Sequence, residues 1–295
     1  MRTIFNVLND QGKSWKVFSG TYTAMLTYYQ FMNVGGLRDN FHRYDAFEEA
    51  CAENVDADPS DKLPAYSFIE PRFIQEFWGQ PSDYHPPHDI ARGETFLADV
   101  YQRIRNCPYR DKILLVVLFD EHGGCYDHVP PPSGAIAPQP GPQTRDGKFK
   151  FDRFGVRVPA IVVSSYVEPG TVFRASDGEQ PYDHTSILAT LRDWLNLGLD
   201  PAKFLPSPRI AKAPTLARVM TRQKGDENTN WPNITPGRPP DENDVSKETP
   251  LNDVQKGILA AAKIDQGVHP TVAAREANKL RTYEHGAMFL QPRAG

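Results

Sequence analysis

The sequence predicts an α/β fold whose central sheet is mainly parallel and flanked by helices. Two short apolar runs, at residues 113–119 and 157–164, are typical of strands that are buried on both faces, as in a parallel sheet. Segments 90–105 and 186–195 repeat apolar residues at the spacing of an amphipathic helix. Helices that alternate along the chain with buried strands indicate this fold class.

The other segments add smaller elements to this fold. Apolar spacing and turn residues predict a helix at 4–9, a strand at 14–18, a helix at 41–51, a strand at 63–70, and helices at 254–263 and 271–283. The last two helices are expected to form a hairpin packed on the main body. We expect Asp183 or Thr185 to cap the helix at 186–195.

Composition divides the chain into three parts. Residues 1–220 carry the α/β pattern and are predicted to form one domain. Residues 221–250 are polar and rich in proline, which is typical of a surface linker. Residues 251–295 are predicted to form a C-terminal helical segment.

Charge and hydropathy exclude several classes of partner. The chain has 295 residues and a net charge of −4, which gives no electrostatic reason to expect nucleic acid or an anionic membrane as a partner. No apolar run reaches the ~18 residues expected of a transmembrane helix. The first residues lack the apolar core of a signal peptide. The three cysteines predict no disulfide framework, so the compartment stays unknown.

The sharpest candidate site follows the first apolar strand, in LLVVLFDEHGGCYDHVPPP at 114–132. Ligands of open α/β sheets bind at the carboxyl ends of strands, which is where Asp120, Glu121 and His122 stand. These residue types are ligands of divalent cations, and adjacent carboxylates repel each other unless a cation or a proton offsets their charge. The alternative is structural: Asp120 caps a turn, Glu121 is solvated and His122 packs locally.

A second polar cluster lies in the proline-rich loop at 80–89. It contains Asp83, His85, His88 and Asp89. Histidine titrates near neutral pH, so it can act as a ligand, a general acid or a contact to phosphate. The alternative is a surface loop whose histidines have no function.

A third cluster stands at the predicted start of the helix at 186–195. His184 follows Asp183 in the sequence YDHTS, and helix N-termini favour anions. The alternative is an ordinary helix cap beside a solvated histidine. His42 is predicted to lie on a helix face. The chain has neither a G-x-S-x-G nor a P-loop motif, so triad hydrolases and P-loop NTPases lack support.

The segment FDEHGGCYDHVPPP resembles the DEHGG-x-YDHV-PP signature of a phosphoesterase family that contains phosphatidylcholine-type phospholipases C and acid phosphatases. Further segments resemble blocks of that family in the same order, and together they cover residues 3–220. These segments are TIFNVLNDQGKSWKVF, LPAYSFIEPRF, DYHPPHDIARGETFLADVYQRIRNCP, FGVRVPAIVVSSYV, YDHTSILATLRDWL and RIAKAPTLARVM.

The resemblance implies an alkaline-phosphatase-like α/β fold and metal-dependent hydrolysis of phosphoric esters. Asp120 and Glu121 match the family's metal-binding acidic pair, which implies a divalent metal ion as cofactor. His85 matches a histidine that contacts the phosphoryl group or assists the leaving group. His184 lies in a matching block and is a second candidate catalytic residue, while His42 is a weaker match to a site histidine. The implied substrate is a phospholipid or a simpler phosphoester, and members of the family are often exported.

The chain also departs from the family pattern. Family members carry a Glu-Asn-x-Ser-Phe-Asp-like block and a Ser or Thr nucleophile segment, and neither occurs here. The resemblance therefore covers the C-terminal portion of the family domain, and we expect the sheet to be incomplete at its N-terminal side. Three hypotheses for the function of the chain therefore compete. The chain could work with a separate chain that supplies the other half, it could be a non-catalytic remnant that binds metal or phosphate, or it could be an interaction protein.

Overall fold

A computed structural model describes most of the chain. The described residues are 2–20, 38–53, 56–59, 61–74, 80–137, 148–197, 200, 204–205, 207–222, 231–237 and 248–290. The predicted linker at 221–250 lies largely outside them. The helices in these ranges are α1 (Ile4–Asp10), α2 (Tyr44–Ala52), α3 (Ile90–Asn106), α4 (His184–Trp194), α5 (Pro208–Lys212), α6 (Asp253–Asp265), α7 (Pro270–Ala277) and α8 (Tyr283–Leu290). The strands are β1 (Trp15–Ser19), β2 (Phe41–Arg43), β3 (Tyr66–Ile69), β4 (Leu115–Leu118) and β5 (Ala160–Val163).

These elements fall into two compact units. The first unit comprises Met1–Ser14 and Tyr109–Asn233, and the second comprises Trp15–Pro108 and Ile234–Gly295. Helix and parallel sheet occur together, as the predicted α/β class requires. No helix in the described ranges is long and apolar enough to cross a membrane.

The second unit contains a parallel three-stranded sheet in the order β2-β1-β3. In the central strand β1, Val17 pairs with Phe41 on one side and with Phe68 on the other. Trp15, Val17 and Phe18 of this strand are almost fully buried. A central strand of a parallel sheet has both faces covered, which agrees with the burial of four of the five residues of β1; Lys16 is half-buried.

Strand β2 corrects the prediction of one helix over 41–51. Residues 41–43 pair with β1, and the helix α2 begins only at Tyr44. The spacing of Phe41, Tyr44 and Phe47 fits a helix, but hydrogen bonding to β1 extends the first three residues. Phe47 still points into the core, where its ring lies 5.5 Å from the ring of Phe18.

The C-terminal helices belong to the second unit. Helix α6 packs against α7 through a cluster that contains Ala260, Ala273 and Ala277, as the predicted hairpin requires. A second cluster joins Leu259 of α6 to Tyr283 of α8 and to Ile74. The helix predicted at 271–283 is wrong in extent, because α7 ends at Ala277 and α8 starts at Tyr283. The intervening residues turn, and Thr282 forms a bridge with Pro250.

In the first unit, β4 and β5 form a two-stranded antiparallel sheet. The prediction that these strands are buried on both faces in a parallel sheet is therefore wrong for the described residues. Side chains of β4 are half-buried, and Ile161 of β5 is 53% exposed. An apolar run reports the tendency of its side chains to be covered, but it contains no information on strand direction.

Helix α4 also lies in the first unit and begins two residues earlier than predicted. Asp183 is its N-cap, since the carboxylate Oδ1 accepts a hydrogen bond from the backbone N–H of Thr185 at 2.8 Å. The side chain of Ser186 completes a capping box, because its Oγ accepts from the backbone N–H of Asp183 at 3.1 Å. Of the two predicted caps, Asp183 is thus the one used.

Candidate functional site

The predicted acidic pair stands on a tight turn just beyond β4. Asp120 Oδ1 accepts from the backbone N–H of Glu121 at 3.0 Å, and Glu121 Oε2 accepts from the backbone N–H of Gly123 at 2.6 Å. Gly123 and Gly124 have φ of 64° and 75°, a conformation that favours glycine. The glycine pair therefore allows the tight turn that follows the two carboxylates. Both acidic residues are exposed.

His184 lies beside this turn. Its Nε2 is 3.0 Å from the carbonyl oxygen of Phe119, the residue that precedes Asp120. A carbonyl oxygen only accepts hydrogen bonds, so Nε2 carries the proton and Nδ1 is the accepting nitrogen of the neutral ring. The first unit thus brings three of the predicted site residues, Asp120, Glu121 and His184, to the carboxyl end of one strand.

The donor chemistry of this turn suits a hard divalent cation in part. Carboxylate oxygens are preferred ligands of Ca²⁺, Mg²⁺ and Mn²⁺. Within the ranges that the structure describes, no group of three or more His, Cys, Asp or Glu side chains is arranged to hold a metal ion. Asp120 and Glu121 therefore fit as two members of a coordination shell but do not complete one.

The next residues of the same motif are fixed by an ion pair that the sequence did not reveal. Arg157 donates from Nε and from a terminal nitrogen to the two oxygens of Asp127, at 2.9 Å each. This guanidinium and the backbone N–H of Val129 hold the pKa of the Asp127 carboxyl well below its usual range. Because Arg157 is 30 residues away, the bidentate pair anchors the loop after the glycine turn to the chain just before β5.

In the second unit, the predicted loop cluster separates into residues with different roles. Asp89 is the N-cap of α3 and accepts from the backbone N–H of Ala91. Asp83 and His88 form a buried pair. His85 is half-buried, and its Nδ1 lies 2.6 Å from the carbonyl oxygen of Pro86. Nδ1 therefore carries the proton, and Nε2 is the accepting nitrogen of the neutral ring.

His42 lies on strand β2, so the prediction that it occupies a helix face is wrong. Its ring centroid is 5.9 Å from that of Phe18, the residue paired with it across the sheet. Partial burial lowers the pKa of His42, and the nearby charge of Lys16 lowers it further. This environment favours a neutral, packed side chain.

Sequence reasoning missed Gln255 and Tyr283, which contact the buried His88. They stand 167 and 195 residues further along the chain, so no local pattern connects them with the loop. Polar residues at core positions of the C-terminal helices were the one available signal.

Comparison with known proteins places these features in a family. Residues 1–198 match the model of the Phosphoesterase family. Non-specific phospholipase C3 of Arabidopsis thaliana is 34% identical over 91% of this chain and 50% of its own length. Non-specific phospholipase C6 of the same plant is 32% identical over the same shares. Phospholipase C A of Mycobacterium tuberculosis is 26% identical over 63% of this chain and 37% of its own length.

The chain belongs to the phosphoesterase family. It spans about half the length of the plant relatives named above.

Proposed function

We propose that this protein hydrolyses phosphoric esters with the help of a divalent metal ion, and that its fold is of the alkaline-phosphatase type. The observation that carries the proposal is the pair of exposed, adjacent carboxylates, Asp120 and Glu121, beside His184 at the end of β4. Membership in the phosphoesterase family supports it. The acidic pair is proposed to supply two ligands of the metal.

Each residue has a separate chemical role in this proposal. A cation bound at Asp120 and Glu121 would offset the charge of the phosphoryl group and lower the pKa of a hydroxyl nucleophile. The Nε2–H of His184 is engaged by the Phe119 carbonyl, so Nδ1 is its proton-accepting atom. In His85 the engaged nitrogen is Nδ1, so Nε2 is the atom proposed to take up a proton first; once protonated, it would donate to the phosphoryl group or pass that proton to the leaving group.

We propose a phospholipid as the substrate. The relatives that support this choice are named as phospholipases C in both a plant and a bacterium. Acid phosphatase activity on a simpler phosphomonoester is the second candidate, because the resemblance of the motif extends to acid phosphatases. A phosphodiester and a phosphomonoester of p-nitrophenol distinguish the two.

We also propose that the purified 295-residue chain turns over slowly by itself. The nucleophile block of the family does not occur in the sequence, and loss of a nucleophile removes most of the rate of an enzyme whose residues act as a unit. A separate chain that supplies this block would complete the site. Support comes from the half-exposed apolar strands β4 and β5, whose uncovered side chains suit contact with further structure.

Calorimetry with Ca²⁺, Mn²⁺ and Zn²⁺ tests the metal site. We expect binding that the double change Asp120→Asn/Glu121→Gln abolishes, because amides supply neutral and weaker ligands. The control Asp177→Asn/Glu284→Gln removes the same charge from two exposed residues elsewhere and should leave binding unchanged. Equal binding by both double variants would place the metal elsewhere. A well-folded chain that binds no metal would exclude a preformed half-site.

Turnover tests the rest of the proposal. The chain alone should hydrolyse p-nitrophenylphosphorylcholine weakly, and addition of the part of the plant phospholipase C3 that the chain does not match should raise the rate. Full activity of the chain alone, lost in Asp120→Asn, would refute the need for a partner. Metal binding without turnover in any mixture would favour a binding remnant, and failure of both would favour an interaction protein.

A further inference from the structure

Four polar side chains are buried together in the second unit and take no part in the proposed chemistry. They are Asp83, His88, Gln255 and Tyr283, which are exposed by 4%, 7%, 1% and 4%. We call them the buried tetrad. Apolar residues such as Ile74, Leu251 and Leu259 surround Tyr283. Polar groups are costly in such a place unless they are hydrogen-bonded, so their partners matter.

The contacts of the tetrad define which nitrogen of His88 donates a hydrogen bond and which accepts one. His88 Nδ1 lies 2.9 and 2.8 Å from the two carboxylate oxygens of Asp83, so Nδ1 carries the proton. His88 Nε2 then accepts from the hydroxyl of Tyr283. The side-chain nitrogen of Gln255 also faces this atom, at 3.2 Å.

The orientation of Gln255 is fixed by backbone groups at both ends of its amide. Its Oε1 accepts from the backbone N–H of Asn252 at 2.8 Å, and its Nε2 donates to the carbonyl oxygen of Phe73 at 2.7 Å. A backbone N–H cannot accept and a carbonyl cannot donate, so the amide cannot be reversed. Gln255 therefore presents a donor to His88, which agrees with an accepting Nε2.

The tetrad holds the backbone of His85 on both sides. Asp83 Oδ1 accepts from the backbone N–H of His85 at 2.8 Å. The backbone N–H of His88 donates to the carbonyl of His85 at 3.1 Å. Asn252, the N-cap of α6, places its side-chain nitrogen 3.4 Å from His85 Nδ1. Both nitrogens carry hydrogens, so this approach is a packing contact and not a hydrogen bond. The starts of α6 and α8 thus reach the loop of His85 through side chains.

We infer that Tyr283 and Gln255 are positioning residues for His85, acting through His88 and Asp83. The inference rests on the proposed function, in which His85 is the histidine that meets the phosphoryl or leaving group. Apolar side chains would fill the same core, but they would not select one ring nitrogen of His88 or one rotamer of Asp83. By fixing the backbone of His85, the tetrad keeps the ring where Nδ1 meets the Pro86 carbonyl, and that carbonyl sets which ring nitrogen is protonated.

The tautomer of His85 is the property to measure, because a merely structural role would not change it. Nitrogen-15 labelling of histidine in the full chain reports protonation at Nδ1 and Nε2 separately, and the loss of one signal in His85→Gln assigns it. We expect the wild-type ring to be protonated at Nδ1. In Tyr283→Phe, which keeps the ring in its apolar cluster, the signal should move towards a mixture of both tautomers.

Tyr44→Phe is the matched control. Tyr44 donates from its part-buried hydroxyl to Asp99 at 2.8 Å in the same unit, away from the loop. Both variants should melt below the wild type, but only Tyr283→Phe should change the His85 signal. If Tyr283→Phe does not fold, Gln255→Met replaces it with a side chain of similar length. An unchanged His85 tautomer in the folded variant would overturn the inference.

This readout does not depend on turnover, so the two proposals can fail separately. If His85 responds to Tyr283→Phe but the complemented enzyme hydrolyses no phosphoester, the positioning stands and the proposed function fails. If the complemented enzyme is active, Tyr283→Phe should lower kcat and leave KM close to the wild-type value, since the change misplaces a proton-transfer group. A change confined to KM would count against the inference.

Discussion

Replacement of Asp183 by Ala tests whether the N-cap of α4 keeps His184 in place beside the Phe119 carbonyl. The change removes the acceptor for the backbone N–H and the hydroxyl of Thr185, at 2.8 and 2.5 Å. Loss of an N-cap costs about 1 kcal/mol of folding free energy. Loss of a negative charge at the helix N-terminus adds roughly 0.3–1 kcal/mol. The expected total is about 1–2 kcal/mol.

Thermal unfolding followed by circular dichroism measures this cost. For a domain of this size about 2–4 °C is lost per kcal/mol, so Asp183→Ala should lower Tm by roughly 2–8 °C. Asp183→Asn keeps the accepting oxygen and should lose only the charge contribution. The first turn of α4 carries His184, so Asp183→Ala should also weaken the hydrogen bond from His184 to the Phe119 carbonyl.

Asp193 near the other end of α4 provides the control. It is exposed and lies beside Arg192, where a negative charge opposes the helix dipole. Asp193→Ala removes this unfavourable charge but also the 2.7 Å ion pair with the largely buried Arg192, so it should lower Tm by less than Asp183→Ala does. Equal losses in Asp183→Ala and Asp193→Ala would refute the capping argument, and a normal His184 tautomer in Asp183→Ala would refute its link to the site.

Two further predictions concern packing and pH. Gly93→Ala should destabilise the chain by about 1–3 kcal/mol, because a Cβ there would lie 2.5 Å from the Tyr84 ring. Gly155→Ala is the control, since its Cβ would meet nothing within 4 Å. Equal urea midpoints of unfolding for the two variants would contradict this prediction. Arg157→Gln should raise the pKa of Asp127 towards its usual range, as carbon-13 NMR titration would measure. Because the folded pKa is depressed, the stabilisation that Asp127 contributes is present above the unfolded pKa and is lost as the pH falls through the folded pKa. An acid limb of the unfolding curve that is identical in wild type and Arg157→Gln would show that the pair contributes nothing.

The sequence predicted those parts of the fold that depend on local pattern. Helix α3 follows from apolar spacing, and the N-cap at Asp183 follows from its residue type before a helical repeat. Strands β3 and β5 are shorter than predicted. Each starts after a proline, Pro64 or Pro159, which has no N–H to donate to a neighbouring strand.

Other parts depend on pairing that no local pattern records. Residues 41–43 extend as β2 because β1 lies beside them, and β4 runs antiparallel to β5. The carboxylates at the end of β4 were predictable because the glycine turn and the acidic pair are adjacent in sequence. Their relation to His184 was not, since it depends on a hydrogen bond across 65 residues.

The proline-rich loop shows why residue type alone misassigns histidines. His85 and His88 are three residues apart and equally plausible in sequence, yet one is half-buried and the other lies in the core. The difference comes from Tyr283, whose hydroxyl hydrogen-bonds His88 Nε2 and so compensates for the burial of that ring. His88 has hydrogen-bond partners on both ring nitrogens, so it is suited to hold geometry. Asp83 holds the backbone of His85, so the chemistry proposed for this loop belongs to the residue that the tetrad positions.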